Sequence, residues 1–212
     1  MFKTIKQIFS AKNKDIRKKI LFTLLVLLIY KIGTNIRVPG TQGFETEGFL
    51  ELLNVMGGGA LEKTSIFALG VTPYISASII VQLLQMDIIP YFSNLAKEGH
   101  TGRVKLNKIT RYMGILLAFL QGLLMSISFI GTGSSAINYI TVALILTAGT
   151  CFLLWLGDQV TQKGVGNGVS MIIMAGILIA TPTMITDAFN YFVVTGSVQE
   201  IALGVTKFAL FM

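Results

Sequence analysis

The sequence predicts an all-α membrane protein built as a bundle of several transmembrane helices. Of its 212 residues, 53% are hydrophobic and only 13% are charged, and the mean hydropathy is +0.72. The charges collect in short patches between long apolar runs, which is typical of multi-span α-helical proteins. The alternative, a soluble protein with buried helices, would carry charge on one face of each helix. Residues 115–129 and 139–156 carry no charge at all.

Five apolar stretches define the predicted spans. A helix rises about 1.5 Å per residue, so about 20 residues cross the hydrocarbon core of a bilayer. We predict spans over residues 20–38, 65–86, 112–130, 139–156 and 166–181. They form one unit, residues 20–200, after a basic N-terminus at 1–19. No small-residue cleavage site follows the first apolar run, so we expect an uncleaved span rather than a signal peptide.

A sixth apolar stretch, residues 201–212, begins at Ile201 and reaches only Met212. Twelve residues are too few to cross a bilayer of about 30 Å. We therefore expect this stretch to be the truncated start of a sixth span and the 212 residues to be part of a longer chain.

Lys and Arg are distributed unevenly among the connecting segments, which predicts the orientation. Seven of them precede the first span, and five lie between the second and third spans. The opposite connections hold mainly Arg37 and Lys63, and residues 131–138 hold none. Cytoplasmic segments carry the excess of basic residues. The N-terminus is thus predicted to be cytoplasmic, and the glycine run at 57–59 to lie on the outer side.

Three consecutive glycines, Gly57, Gly58 and Gly59, interrupt an apolar stretch before the second span. Each glycine costs about 1 kcal/mol relative to alanine in a helix, or roughly 3 kcal/mol together. The apolar residues around this hinge can form only a short helix of low intrinsic stability, and Thr72 and Pro73 then restart the chain as a strong helix. From these residues alone, a flexible external loop without a gating role is the simpler interpretation. The second interpretation is a short helix that can be displaced to open a channel.

The sequence offers little for catalysis, metal binding or a cofactor. His100 has no partner ligands nearby, Cys151 is the single cysteine, and neither HExxH nor GxSxG occurs. The glycine-rich segment at 164–168 follows no strand, which argues against a nucleotide loop. A secondary transporter remains a competing class, but such proteins place ionisable residues in mid-span. In this sequence the only ionisable residue within a predicted span that could be compared with these is Lys31, and it lies near the end of its span. We expect a non-enzymatic protein without cofactors.

Four passages resemble the SecY family, in the family's order and spacing. They are YKIGTNIRVPG at 30–40, the stretch at 57–90 that ends in QLLQMDIIP, EGHTGRVKLNKITRY at 98–112, and WLGDQVTQKGVGNGVSMIIMAGI at 155–177. The resemblance implies the first of two pseudo-symmetric five-helix halves, plus the start of the sixth span. One departure lies in the third passage, where Val104 replaces a basic residue and His100 is added.

The resemblance implies a hydrophobic pore ring made of Val71, Ile75, Val169 and Ile173. Branched aliphatic side chains can close around an extended polypeptide, and a hydrophobic constriction resists wetting. Ordinary helix packing is the alternative for these residues. For both pairs to meet in mid-membrane, the loop around Gly166 must lie deep in a water-filled funnel open to the cytoplasm.

The resemblance also implies a plug, about residues 52–64, that blocks the external half of the pore. Its plug and hinge residues are Met56, Gly57, Gly58, Gly59, Ala60 and Leu61. Ser76, Ile79 and Gln82 correspond to a lateral gate, although simple interhelical hydrogen bonds would also account for the polar pair. Arg103, Lys105 and Lys108 form a cytoplasmic basic loop, first a determinant of orientation and second a candidate contact for a motor or ribosomal RNA.

The function implied by the resemblance is a channel that conducts unfolded secretory chains and releases hydrophobic segments sideways. The implied partners are SecE, SecG, the SecA ATPase, the ribosome, secretory and membrane-protein precursors and the lipid bilayer. The implied location is the bacterial cell membrane. Because the chain has no nucleotide-binding motif, the driving energy would come from a partner.

Overall fold

The computed structural model describes residues 14–43, 46, 48–131 and 133–189. This part of the chain is helical, which confirms the all-α prediction. The helices are α1 (Lys14–Gly33), α2 (Phe49–Met56), α3 (Thr72–Leu83), α4 (Pro90–Lys97), α5 (His100–Ile130), α6 (Ala136–Lys163) and α7 (Gly168–Phe189). A π-helical turn, Leu84–Ile88, extends α3. The predicted N-terminal segment at 1–13 and the sixth span at 201–212 lie outside the described residues.

Three of the described helices are long and apolar enough to cross a membrane: α5, α6 and residues Gly168–Thr186 of α7. A fourth candidate is the pair Thr72–Met86 and Pro90–Lys97, bent by 92° at the break between them. Helix α1 has 20 residues, about 30 Å at 1.5 Å per residue, but its first turns are basic. These helices indicate a multi-pass membrane protein.

Several predicted boundaries differ from the structure. Helix α1 ends at Gly33 rather than at residue 38, and Arg37 then forms an isolated antiparallel bridge with Ser65. The second span begins as a helix only at Thr72, since residues 66–71 form turns. The fifth predicted span, which is helix α7, continues through Pro182 instead of ending at residue 181.

The prediction of a basic loop before the third span is wrong, because α5 already begins at His100. Arg103, Lys105 and Lys108 therefore lie on a helix. Gly102 and Leu106 are buried on its other face, and Gly102 approaches the backbone of Leu95 so closely that a Cβ would overlap its carbonyl oxygen. This packing against α4 holds the first turns helical, while the charged side chains remain exposed.

Helices α5 and α6 form an antiparallel hairpin. Arg111 pairs with Asp158 at one end, and the Tyr139 hydroxyl donates to the carbonyl of Gly131 at the other, over 2.7 Å. The buried face of α5 is a row of small residues at four-residue spacing, which lies against Tyr74 of α3 at Gly114 and against Ala143 of α6 at Gly122. The row comprises Gly114, Ala118, Gly122 and Ser126, all buried. Small residues let helices approach closely, which is how membrane helices gain packing energy.

The segment between α2 and α3 threads through the bundle rather than over its surface. A Cβ on Gly149 of α6 would overlap the carbonyl oxygen of Ile66, and a Cβ on Gly33 of α1 would overlap the ring of Phe67. Phe67 joins Tyr30 and other buried side chains in one hydrophobic core. This threading fixes where the residues of the predicted plug and ring lie.

Candidate functional site

The short helix predicted around the hinge is α2, and it lies wholly before the glycine run. Helix α2 ends at Met56, with Gly57 as its C-cap, and Gly58 and Gly59 have φ of +69° and +77°. This left-handed region is accessible to glycine at little cost. The glycines therefore end the helix and reverse the chain.

Asn54 holds the reversed chain against α2. Its side chain is buried, and its Oδ1 atom accepts hydrogen bonds from the backbone N–H groups of Leu61 and Glu62, each over 3.1 Å. Its Nδ2 atom donates to Oε2 of Glu62 over 3.2 Å. The predicted plug segment is thus an internally bonded turn, with Ala60 and Leu61 buried.

Replacing Asn54 by alanine is expected to lower the free energy of unfolding by about 1–3 kcal/mol, because the buried backbone N–H of Leu61 and the partly buried N–H of Glu62 lose their acceptor. Denaturant titration of the whole protein in mixed micelles measures this change. Asn94→Ala is the matched control, since Asn94 is exposed on α4. Equal losses in both variants would contradict the structural role of Asn54.

The hinge is docked on two helices that are distant from it in sequence. The buried Tyr30 hydroxyl of α1 donates a hydrogen bond to the carbonyl of Gly57 over 2.8 Å. On the other side, a Cβ on Gly176 of α7 would overlap the carbonyl oxygen of Met56. Gly58 also approaches Gly176. The predicted hinge is therefore packed between α1 and α7.

Three of the four predicted ring residues come together beside the hinge. Val71, Ile75 and Ile173 line an enclosed cavity of about 10 Å³, roughly the space of one water molecule. Its other lining residues are Tyr30, Leu53, Met56, Gly57, Ala68, Leu69, Gly70, Thr72 and Ile172. Apart from the hydroxyls of Tyr30 and Thr72, the side chains around it are apolar.

Val169 does not line this cavity. It packs against the same hydrophobic core as Ile75 and Ile173, and its Cγ2 atom lies 3.4 Å from the position of a Cβ on Gly157 of α6. Val169 thus lies nearer the crossing of α6 and α7 than the other three residues. The assignment of all four to a ring stays a prediction.

The predicted gate residues lie along α3, away from the cavity. Ser76 is half-buried, whereas the Ile79 side chain is 52% exposed. Gln82 is also exposed, and its Nε2 atom donates to Oγ of Ser78 over 3.0 Å within the same helix. Among the described hydrogen bonds, Gln82 makes none to another helix. The gating role of Ser76, Ile79 and Gln82 remains a prediction.

The glycine-rich loop at 164–167 is bonded to the body of the bundle. The backbone N–H of Val165 donates to the Thr23 Oγ1 atom over 3.1 Å, nine residues along α1 from Lys14. The N–H of Gly168 donates to Thr161 Oγ1 over 2.8 Å. The loop is therefore level with the middle turns of α1. The funnel at Gly166 stays a prediction.

The basic side chains of α5 are exposed, and Lys105 lies 3.8 Å from a Glu98 carboxylate oxygen. Exposed pairs of this kind contribute about 0–1 kcal/mol. Among the residues that the structure describes, no group of three or more His, Cys, Asp and Glu side chains could hold a metal ion.

Sequence reasoning missed Tyr30 and Gly176, although both lie in the quoted passages. A tyrosine inside an apolar span needs a hydrogen-bond partner, so Tyr30 could have been singled out. Its acceptor, 27 residues away, was not predictable, because the pairing depends on how the chain threads between helices.

Comparison with known proteins identifies relatives of this chain. The family model described as SecY matches residues 65–212. A protein of Staphylococcus aureus named "Protein translocase subunit SecY" is 51% identical over 195 residues, which cover 86% of this chain and 45% of that protein. The Staphylococcus epidermidis protein of the same name is 50% identical over 196 residues, with the same coverages. The chain thus spans less than half the length of these curated relatives.

Solved structures of channels share the fold. "Sec61 in the Canine ribosome-channel complex from the endoplasmic reticulum" superposes with a TM-score of 0.60 at 20% identity, over 85% of this chain and 39% of that one. "The structure of a protein conducting channel" gives a TM-score of 0.59 at the same identity and coverages. Together with the family-model match over most of its length, these findings show that the chain belongs to the SecY family.

Proposed function

We propose that the chain forms the first half of the central pore of a Sec protein translocase. It passes unfolded secretory polypeptides across the membrane and releases the apolar segments of membrane proteins through a lateral gate. The observation that carries this proposal is the meeting of Val71, Ile75 and Ile173 with the hinge around a closed cavity lined mainly by apolar side chains. A constriction of this kind would seal against ions, and once the hinge moves aside its branched side chains could close around an extended chain.

The proposed channel is not an enzyme and takes its driving energy from its partners. Named by family resemblance, these are SecE, SecG, the SecA ATPase and the ribosome, with secretory and membrane-protein precursors as substrates. The proposed location is the bacterial cell membrane, with the N-terminus cytoplasmic. The basic N-terminal turns of α1 and α5 support that orientation, because cytoplasmic flanks carry the excess of Lys and Arg.

A site-specific cross-link tests the pore. A photo-reactive residue is placed at Ile75 in the full-length protein, and separately at Leu124, which is 69% exposed on α5. A secretory precursor is then stalled halfway across native membranes. Because Ile75 lines the cavity and Leu124 faces outward from the bundle, we expect strong adducts from Ile75 and none from Leu124.

Adducts at neither position, in membranes that still translocate, would overturn the proposal. They would favour the competing class, in which the chain is half of a secondary transporter. Equal adducts at both positions would also overturn it, since a pore must distinguish its lining from its outer surface.

A further inference from the structure

We propose that Tyr30 and Gly176 form a latch that keeps the hinge seated in the closed channel. This inference rests on the proposed function and assigns to it two positioning residues outside the ring and the plug. Tyr30 lies on α1 and Gly176 on α7, and the hinge backbone at Met56 and Gly57 lies between them.

The hydroxyl of Tyr30 makes its hydrogen bond in a nearly dry place. Both Tyr30 and Gly57 line the cavity of about 10 Å³, which holds at most one water molecule. Among the described hydrogen bonds, the carbonyl of Gly57 accepts from Tyr30 Oη alone. Without that donor, a buried carbonyl would be left unsatisfied, and such a group is costly to bury.

Gly176 supplies the opposite wall. A Cβ there would overlap the Met56 carbonyl oxygen and would lie 3.1 Å from Tyr30 Oη. The same small spot therefore accommodates the hinge backbone and the phenol only because residue 176 has no side chain. Hydrogen bond and close contact thus converge on two consecutive backbone carbonyls, those of Gly57 and Met56.

Displacing the plug would expose the Gly57 carbonyl to water. Removing the Tyr30 hydroxyl therefore destabilises the seated hinge more than the displaced one, and shifts the equilibrium towards displacement. Adding a methyl group at residue 176 shifts it the same way, by steric exclusion. The two substitutions act through different forces, so agreement between them points to the shared site.

Cysteine labelling in native membranes containing the full-length channel measures this shift. The reporter is Leu61→Cys in a Cys151→Ala background, because Leu61 is buried in the plug segment at 3% exposure. Tyr30→Phe is expected to raise the rate of modification by a membrane-permeant maleimide about fivefold, as the loss of one hydrogen bond predicts. Gly176→Ala is expected to raise it as well.

Tyr139→Phe is the matched control. It removes a tyrosine-to-carbonyl hydrogen bond of 2.7 Å at the loop between α5 and α6, away from the hinge, and should leave labelling unchanged. A second reporter, Leu106→Cys, detects general loosening, because Leu106 is buried in a separate core between α3, α4 and α5.

An unchanged labelling rate in Tyr30→Phe would overturn the latch, and so would an equal rise at residues 61 and 106. If Tyr30→Phe does not accumulate in the membrane, Gly176→Ala decides between the same outcomes. The cross-link at Ile75 separates the two proposals. Persisting adducts with unchanged labelling refute the latch alone, whereas lost adducts refute the pore whatever the labelling shows.

Discussion

Gly168→Ala is expected to lower the free energy of unfolding by about 3 kcal/mol, because it forces extra volume into a closed backbone contact. Gly168 is the first residue of α7, and a Cβ there would overlap the carbonyl oxygen of Gly157 on α6. The obstacle is backbone inside a helix, so it cannot turn aside as a side chain could. Helix α7 would have to move away, carrying Val169 with it.

Gly157→Ala is the matched control at the same crossing. A Cβ on Gly157 would meet Val169 Cγ2 at 3.4 Å, an ordinary van der Waals separation. Because alanine is favoured over glycine in a helix interior by about 1 kcal/mol, this variant should be neutral or slightly more stable. Sodium dodecyl sulfate titration of the full-length protein in mixed micelles, followed by circular dichroism, measures both. A neutral Gly168→Ala would show that the crossing is looser than the structure has it.

The sequence predicted the helices wherever contact with lipid requires a long run of apolar residues. Uncharged apolar runs identified α5, α6 and α7, since a membrane-spanning helix must be apolar throughout its buried length. Pro73 correctly marked the beginning of α3, because proline is favoured in the first turn of a helix.

The sequence did not predict helix boundaries and close contacts that depend on tertiary packing. Helix α5 extends from His100 because Gly102 lies against the backbone of α4, and nothing in the charged stretch at 103–111 signals that contact. The contact partner of Gly176 was unpredictable for the same reason. Gly176 was visible in the sequence, but its neighbour at Met56 follows only from the threading of residues 57–71 between α1, α6 and α7.

For the candidate site, the resemblance located the ring on α3 and α7, and the structure brings three of its four residues to one cavity. What positions them is the segment before α3. Phe67 is central to that segment, because it stacks on Tyr30 on one side and on Phe152 on the other, with both ring centroids at 6.1 Å. The same phenol ring that holds the hinge thus rests on the segment leading to Val71.

Phe67→Ala is therefore expected to cost about 3 kcal/mol of unfolding free energy, within the usual range for truncating a buried phenylalanine. Phe67 is 2% exposed, and its ring fills the space that Gly33 leaves open on α1. Neighbouring helices cannot collapse into the resulting void without moving Tyr30. Phe67→Leu should recover most of the loss, since it restores much of the volume.

Phe152→Ala separates this cavity effect from the loss of aromatic stacking. Phe152 stacks on the same ring but is 42% exposed, so its removal leaves space that lipid can fill. The same titration in mixed micelles should therefore give a clearly smaller loss for Phe152→Ala than for Phe67→Ala. Equal losses would mean that stacking rather than burial stabilises this segment, and the path of the chain into Val71 would then depend on the aromatic row as a whole.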